Sequence, residues 1–437
     1  MELLTLGLFC SLLLICLVLD LSIIYALLAG LLLFFLYGRK RGFSWGALAA
    51  MALDGVKTVR NILITFLLIG MLTALWRAAG TIPVIVCYAA QLIRPPVFLV
   101  MTFLLNSGVS MLTGTSFGTA ATMGVICATM GSAMNVDMTL VGGAVLSGAF
   151  FGDRCSPVST SLLLVSELTG TSIFDNLRRL FKDALLPFFA TCAIYAVLGL
   201  LSSHSGELLD LNALFSTGFV LHWTALLPAA AVLLLSSLRV NVKRTMAVSI
   251  LTALPVCLLV QHHTIGNTLR FMFTGYHTDI PQLAAMVNGG GITSMIKVGA
   301  IVCLSSSYSG IFRKTGLLDS AKQTIAALAH RTTPFIATLC TSLVSGMIAC
   351  NQTLAIILTH QLCGDLEEDP GTFALFLADS AVIIAPLIPW SIAGAVPLAS
   401  IGADASSLPL AFYLYLVPLW QTAKSLWKTY SHKKRPC

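Results

Sequence analysis

The chain has 437 residues, of which 57% are hydrophobic and 10% charged, and its net charge is +7. Soluble domains carry about a quarter charged residues, so this chain has too little polar surface to face water on all sides. Its basic residues fall in short clusters between apolar runs, the pattern of membrane topology, which excludes nucleic acid as the expected partner and makes the lipid bilayer the first one.

The apolar runs, in chain order, cover residues 3–19, 21–37, 62–75, 98–105, 184–201, 219–238, 246–260, 295–304, 335–348, 375–388 and 409–420. A straight helix needs roughly 20 apolar residues to cross a bilayer. Several runs are shorter and are extended only by Gly, Ser and Thr, so about ten to twelve spans are expected, some of them broken. Met1-Glu2 lacks the basic n-region of a secretory signal, and the first run is expected to stay as a helix. The second run is followed by Arg39-Lys40-Arg41, and Arg178-Arg179-Lys182, Arg239-Lys243-Arg244, Arg313-Lys314 and Lys433-Lys434-Arg435 are the other basic clusters. The positive-inside rule puts these in the cytoplasm, with Asp20 in a short outside turn and both termini inside. Residues 43–59 and 316–331 are expected to form interfacial helices, 207–212 a loop, and 274–291 a longer connection. The twelve cysteines lie mostly in apolar runs without a C-x-x-C pair, and the eight histidines show no i, i+4 pair, so buried free thiols and no metal site or other cofactor are expected.

Two polar, glycine-rich zones interrupt this background at corresponding places. The first holds Leu112-Thr113-Gly114-Thr115-Ser116-Phe117-Gly118-Thr119 and then Ser147-Gly148-Ala149-Phe150-Phe151-Gly152-Asp153-Arg154-Cys155-Ser156-Pro157. The second holds Val344-Ser345-Gly346, Asn351-Gln352, Ala378-Asp379-Ser380 and Ala385-Pro386-Leu387-Ile388-Pro389-Trp390-Ser391. Each runs from small residues through an apolar stretch to an aspartate and a proline. Gly and Pro free backbone groups that hydrocarbon cannot satisfy, so these groups must line a cavity or bind a ligand. Weakly similar interrupted segments in two halves are the mark of repeat-built transporters. The expected fold is therefore an all-α polytopic membrane protein of inverted repeats with re-entrant hairpins and broken helices. Its halves would be residues 1–205 and 246–437, joined by 206–245.

Charges inside a membrane are costly, by about 2.5–3.5 kcal/mol each on insertion scales. Asp153 and Asp379 are accordingly the first candidates for handling a cation or proton; the structural alternative pairs Asp153 with Arg154 and makes Asp379 the cap of a helix starting at Ser380. Ser156, Ser159 and Thr160 offer hydroxyls to an ion, and Glu167 is either a third acidic site residue or a local cap. Thr113, Thr115, Ser116 and Thr119, with Asn351, Gln352 and Ser391 from the other half, are candidates for binding substrate. Lys297 is read either as a snorkelling interfacial residue or as a fixed internal cation.

These residues resemble the NhaC-type sodium/proton antiporter family. The likeness rests on Trp76-Arg77-Ala78-Ala79-Gly80-Thr81-Ile82-Pro83, the segment from Gly114 to Thr119, the segment from Ser147 to Pro157, Gly289-Gly290-Gly291, and Pro386-Leu387-Ile388-Pro389-Trp390, in that order. The resemblance implies a secondary transporter rather than an enzyme, in a bacterial-type cell membrane, built as a scaffold and a moving unit and assembled as a homodimer. Sodium or protons would be the coupling ions, and exchange of small organic anions or amino acids is the alternative. The family pattern after the Ser-Pro pair is a serine followed by aspartate, two threonines and asparagine; here Ser159 is followed by Thr160-Ser161-Leu162-Leu163. One charge and one amide are missing, and Lys297 or a proton is expected to stand in for one bound sodium. An intramembrane aspartyl protease is disfavoured because Phe151 stands where a glycine is needed, and a channel because two unlike halves with buried carboxylates favour alternating access.

Overall fold

The computed structural model describes residues 2–433 except 20, 59, 93–94, 158, 203–210, 239, 316–324, 326 and 330. The expectations for Asp20, Arg239, the start of the 207–212 loop, most of 316–331 and the end of the basic tail lie outside the described residues. The elements are helical, and the β-bridge among the described residues pairs Tyr276 with Gly289. They are α1 (Glu2–Val18), α2 (Ile23–Lys40), α3 (Trp45–Thr58), α4 (Arg60–Ala78), α5 (Thr81–Leu92), α6 (Pro95–Thr113), α7 (Ser116–Thr119), α8 (Val125–Ala133), α9 (Met138–Cys155), α10 (Thr160–Thr169) and α11 (Ile173–Ser202). There follow α12 (Leu211–Ser216), α13 (Leu227–Ser237), α14 (Val242–Pro255), α15 (Ile265–Thr274), α16 (Pro281–Val287) and α17 (Ile296–Thr315). The last are α18 (Pro334–Ala349), α19 (Gln352–Cys363), α20 (Pro370–Asp379), α21 (Ala381–Ile384), α22 (Ile392–Ile401) and α23 (Phe412–Lys433). An all-helical body is what hydrocarbon demands, since a helix satisfies its own backbone.

Four helical stretches among the described residues are long and apolar enough to cross a membrane: Pro95–Thr113, Ile173–Leu201, Val242–Val260 and Pro370–Leu387, the last running across the break after Asp379. Leu63–Ala78 with Thr81–Tyr88, bent by 65° at Gly80, is a fifth if the pair counts as one. This is fewer than the ten to twelve expected, because breaks divide the apolar runs into helices such as Pro334–Ala349 and Ile392–Ile401. The all-α polytopic architecture stands.

The breaks fall in two matching series. In the first half α6 stops at Gly114, which has φ 65°, and the chain reverses through α7 and the π-helical turn Ala120–Gly124 into α8. A Cβ at Gly131, near the end of α8, would lie 3.3 Å from the ring of Phe98 at the start of α6, so α6 and α7–α8 form a hairpin with its tip at 114–115. Next, α9 ends at Cys155 and α10 resumes at Thr160. In the second half α18 and α19 form a hairpin broken at Cys350, in the left-handed region, and Asn351; α20 then ends at Asp379. The Ile392 amide donates to Cys350 O (2.9 Å), tying the second tip to the start of α22.

Helix α9 lies backbone to backbone on α6. A Cβ at Gly148 would come 2.6 Å from Phe103 O, one at Gly152 would overlap the Ser110–Met111 backbone, and the Ser110 hydroxyl donates to Ala149 O. The segment 43–59, expected at the interface, forms α3, which is packed on α17: a Cβ at Gly310 would lie 3.2 Å from Gly55 N. Residues 206–245 contribute α12 and α13, which pack on α5 and α14, and the boundary at 246 falls within α14.

Candidate functional site

Asp153 and Arg154 are neighbours on the last turn of α9 and both are buried. Successive helical residues point about 100° apart, and here they serve different surroundings.

Asp153 faces the break. Helix α10 starts beyond it with Ser159 as N-cap, whose Oγ accepts from the amides of Ser161 and Leu162 (both 3.2 Å). The same hydroxyl reaches Asp153 Oδ1 (3.1 Å) and the Asp153 main-chain oxygen. Ser161 Oγ stands 3.1 Å from Asp153 Oδ2 and 2.9 Å from Gln352 Oε1. Gln352, the first residue of α19 after the second hairpin's tip, donates from Nε2 to Asp153 Oδ2 and to Val382 O on α21, both at 2.9 Å. The carboxylate thus sits where the N-terminal ends of α10 and α19 converge, and their dipoles favour negative charge there. All its side-chain donors are neutral. Among the described residues no basic side chain pairs with it.

Arg154 turns the other way. Its Nε donates to Asp379 Oδ1 at 2.8 Å, and Nη2 makes a second bond to the same oxygen. Nη1 reaches Leu180 O (3.3 Å) on α11 and the Tyr413 hydroxyl (3.4 Å) on α23. The ion pair has no exposed side-chain surface. The structural alternative for Asp153 is thereby corrected: Arg154 serves Asp379, not its sequence neighbour. Asp379 is held by this pair rather than facing Asp153 across a shared pocket.

The other candidates divide. Ser156 is buried, and its hydroxyl donates to Met111 O (2.7 Å), closing the break against α6. Thr160 and Glu167 are exposed on α10 and stand outside the Asp153 cluster. Thr113, Thr115 and Thr119 bond among themselves at the first tip: Thr113 Oγ1 lies 3.1 Å from Thr119 Oγ1, which donates to Thr115 O (2.9 Å); Ser116 is buried beside them. Asn351 and Ser391 spend their oxygens as N-caps, accepting from Leu354 N (2.8 Å) and Ala393 N (3.3 Å). Lys297 is exposed at the start of α17 and lines a different cavity. It does not reach Asp153, so its expected role as a substitute for bound sodium is corrected; the triple glycine before it packs on α4 instead, with Gly291 N donating to Gly70 O (2.8 Å).

Sequence reasoning missed Ser161 as a partner of the carboxylate and missed the Arg154–Asp379 pair. The signal for Ser161 was its place in the first turn after the Ser156-Pro157 break, beside a hydroxyl N-cap. With Gln352, it supplies a hydroxyl and an amide where the expected aspartate and asparagine are absent.

The model of the Na+/H+ antiporter family matches residues 4–166 and 148–422. The chain belongs to the Na+/H+ antiporter family. Among its relatives is the Na(+)/H(+) antiporter NhaC of Alkalihalophilus pseudofirmus, 28% identical over 89% of this chain and 86% of that protein. The Malate-2H(+)/Na(+)-lactate antiporter of Bacillus subtilis is 25% identical over 94% and 92%, and the Arginine/ornithine antiporter ArcD of Halobacterium salinarum is 26% identical over 89% and 84%. As a member of the Na+/H+ antiporter family the chain is a secondary transporter and an integral membrane protein.

Proposed function

We propose that this protein exchanges sodium for protons across a bacterial-type cell membrane, and that Asp153 is the side chain at which one replaces the other. The observation that carries this reading is the contrast between the two buried aspartates. Asp379 has a guanidinium to balance it, whereas Asp153 has only Ser159, Ser161 and Gln352. An uncompensated buried charge costs several kcal/mol. Once water is excluded, Asp153 must carry either a proton or a small cation, which is the competition an antiporter needs.

The oxygens for a hard cation are present: the carboxylate, two serine hydroxyls and Gln352 Oε1. Ser161 has one hydroxyl hydrogen and two acceptors in reach. Beside ionised Asp153 it donates to Oδ2; beside protonated Asp153 it accepts a hydrogen bond from the carboxyl O–H and donates to Gln352 Oε1. The state of α9 is thereby read by α19, in the other half, without a charged intermediary.

The alternative substrate class, a small organic anion or amino acid, is suggested by the two organic-solute relatives. Asn351 spends its amide donor on Ala349 O (3.1 Å), and the central side chain is itself acidic, so the geometry favours the cation. The test is purified protein in proteoliposomes with an imposed pH gradient, scanning sodium, lithium, potassium, malate, lactate and arginine. Sodium-dependent proton flux that disappears in Asp153→Asn supports the proposal. Flux driven only by an organic solute, or full sodium/proton exchange by the variant, contradicts it.

A further inference from the structure

A cavity of about 540 Å³ lies away from Asp153, where the turn between α1 and α2, the start of α17, helix α22 and the turn after it come together. Ser22, Lys297 and Asp404 are its polar lining, and Leu398 and Leu408 are among its apolar walls. Convergence of two interhelical turns and a helix start places it at one face of the membrane. Arg39 and Lys40 close the opposite end of α2, so the positive-inside rule makes this the outer face.

The two charges are not equivalent. Asp404 caps the following 3-10 turn, accepting from Ser406 N (2.9 Å) and from the Ser406 hydroxyl. Lys297 has no carboxylate within ion-pair distance among the described residues. It stands in the first turn of a long helix, the end at which the dipole disfavours a cation, so local helix energetics do not explain it. The volume falls in the range of small-molecule sites, which combine apolar walls with a few polar anchors.

We infer that this cavity binds a small organic anion, its carboxylate on Lys297 and its hydrocarbon body against Leu398 and Leu408. Pro389 lines the same cavity, two residues before the Ser391 cap of α22, and Ile392 N holds Cys350 O at the tip that carries Gln352. An occupant therefore rests on the element that braces the partner of Asp153.

The experiment is calorimetric titration of the full chain in neutral-lipid nanodiscs with acetate, butyrate and hexanoate, using hexanol and chloride as controls. Affinity is expected to rise about fourfold per buried methylene, to fall at least tenfold in Lys297→Gln, to persist in Lys297→Arg, and to be unchanged in Asp153→Asn. That last variant separates this inference from the ion-site proposal, since it is expected to lose exchange while keeping the anion. No binding, equal binding of hexanol, or an undiminished Lys297→Gln overturns the inference. So does loss of binding in Asp153→Asn, which would put the ligand in the ion site. Lysine-dependent retention of phosphatidylglycerol with no response to carboxylates would also overturn it, assigning the cavity to a lipid phosphate.

Discussion

Replacing Asp379 with Asn removes the counter-charge from Arg154 but keeps the shape of the site. The guanidinium has two bonds to one carboxylate oxygen, no exposed surface, and only Leu180 O and the Tyr413 hydroxyl as other oxygen partners. Breaking a buried pair from one side costs about 3–5 kcal/mol, because a charge is left uncompensated. With an unfolding entropy of about 2.1 cal/mol/K per residue, that corresponds to a melting point lower by roughly 3–5 °C in a chain of this length. Converting both partners, Arg154→Leu with Asp379→Leu, removes both charges; the Leu180 carbonyl keeps its bond within α11, so the Tyr413 hydroxyl is the oxygen partner left stranded, a residual cost of about 1–3 kcal/mol. The double variant is therefore expected to melt above either single variant, and to retain sodium/proton exchange if the pair is structural. Scanning fluorimetry in detergent gives the double-mutant cycle, and proteoliposome flux gives the function. A single Asp379→Asn that melts like the parent, or a double variant restored in stability yet inactive, would refute the assignment and return Asp379 to the transport chemistry.

Three further outcomes are expected. Gln352→Leu removes a hydrogen bond to a charged group, worth about 1.5–3 kcal/mol, and the half-saturating sodium concentration should rise at least tenfold; an unchanged value would detach α19 from the site. Gly152→Ala drives a methyl into the Ser110–Met111 backbone of α6, and a displacement of about 1 Å at the neighbouring carboxylate should slow exchange by roughly 100-fold although Gly152 touches no ligand. Asp369 caps α20 from outside the membrane; the Thr372 hydroxyl, then Arg179, hold its carboxyl down to about 2. Because that value lies below the ordinary one, the stabilisation is complete at neutral pH and is lost as pH falls from about 4 through 2. A melting-point profile that Asp369→Ala leaves unflattened over this window would disprove the cap.

The positions of both breaks and of Asp153 were legible because Gly, Pro and carboxylates are expensive inside apolar runs and stand out there. The likeness in order between the two halves was legible for the same reason. What joins them was not. Arg154 and Asp379 lie 225 positions apart, and along the chain Arg154 looks like the natural partner of Asp153; only the 100° turn of a helix separates them. Lys297 misled in the opposite sense, since proximity to three glycines in sequence says nothing about which side of α17 faces the ion. Asn351 and Gln352 looked equivalent as amides, but one is spent on its own helix and the other spans the halves. The shortfall in straight spans has a similar origin, because hydropathy counts apolar residues and not the bends between them.

Because α6 and α9 meet main chain to main chain, no layer of side chains lies between them on which one could slide past the other. The pair has to travel as one stiff strut, and whatever displacement carries Asp153 from one aqueous side to the other must be taken up elsewhere. The softest seam beside it is the set of single hydrogen bonds linking α9 and α10 to α19, so gating should register there first, as faster amide exchange in the opening turns of α10 and α19 while the strut stays protected.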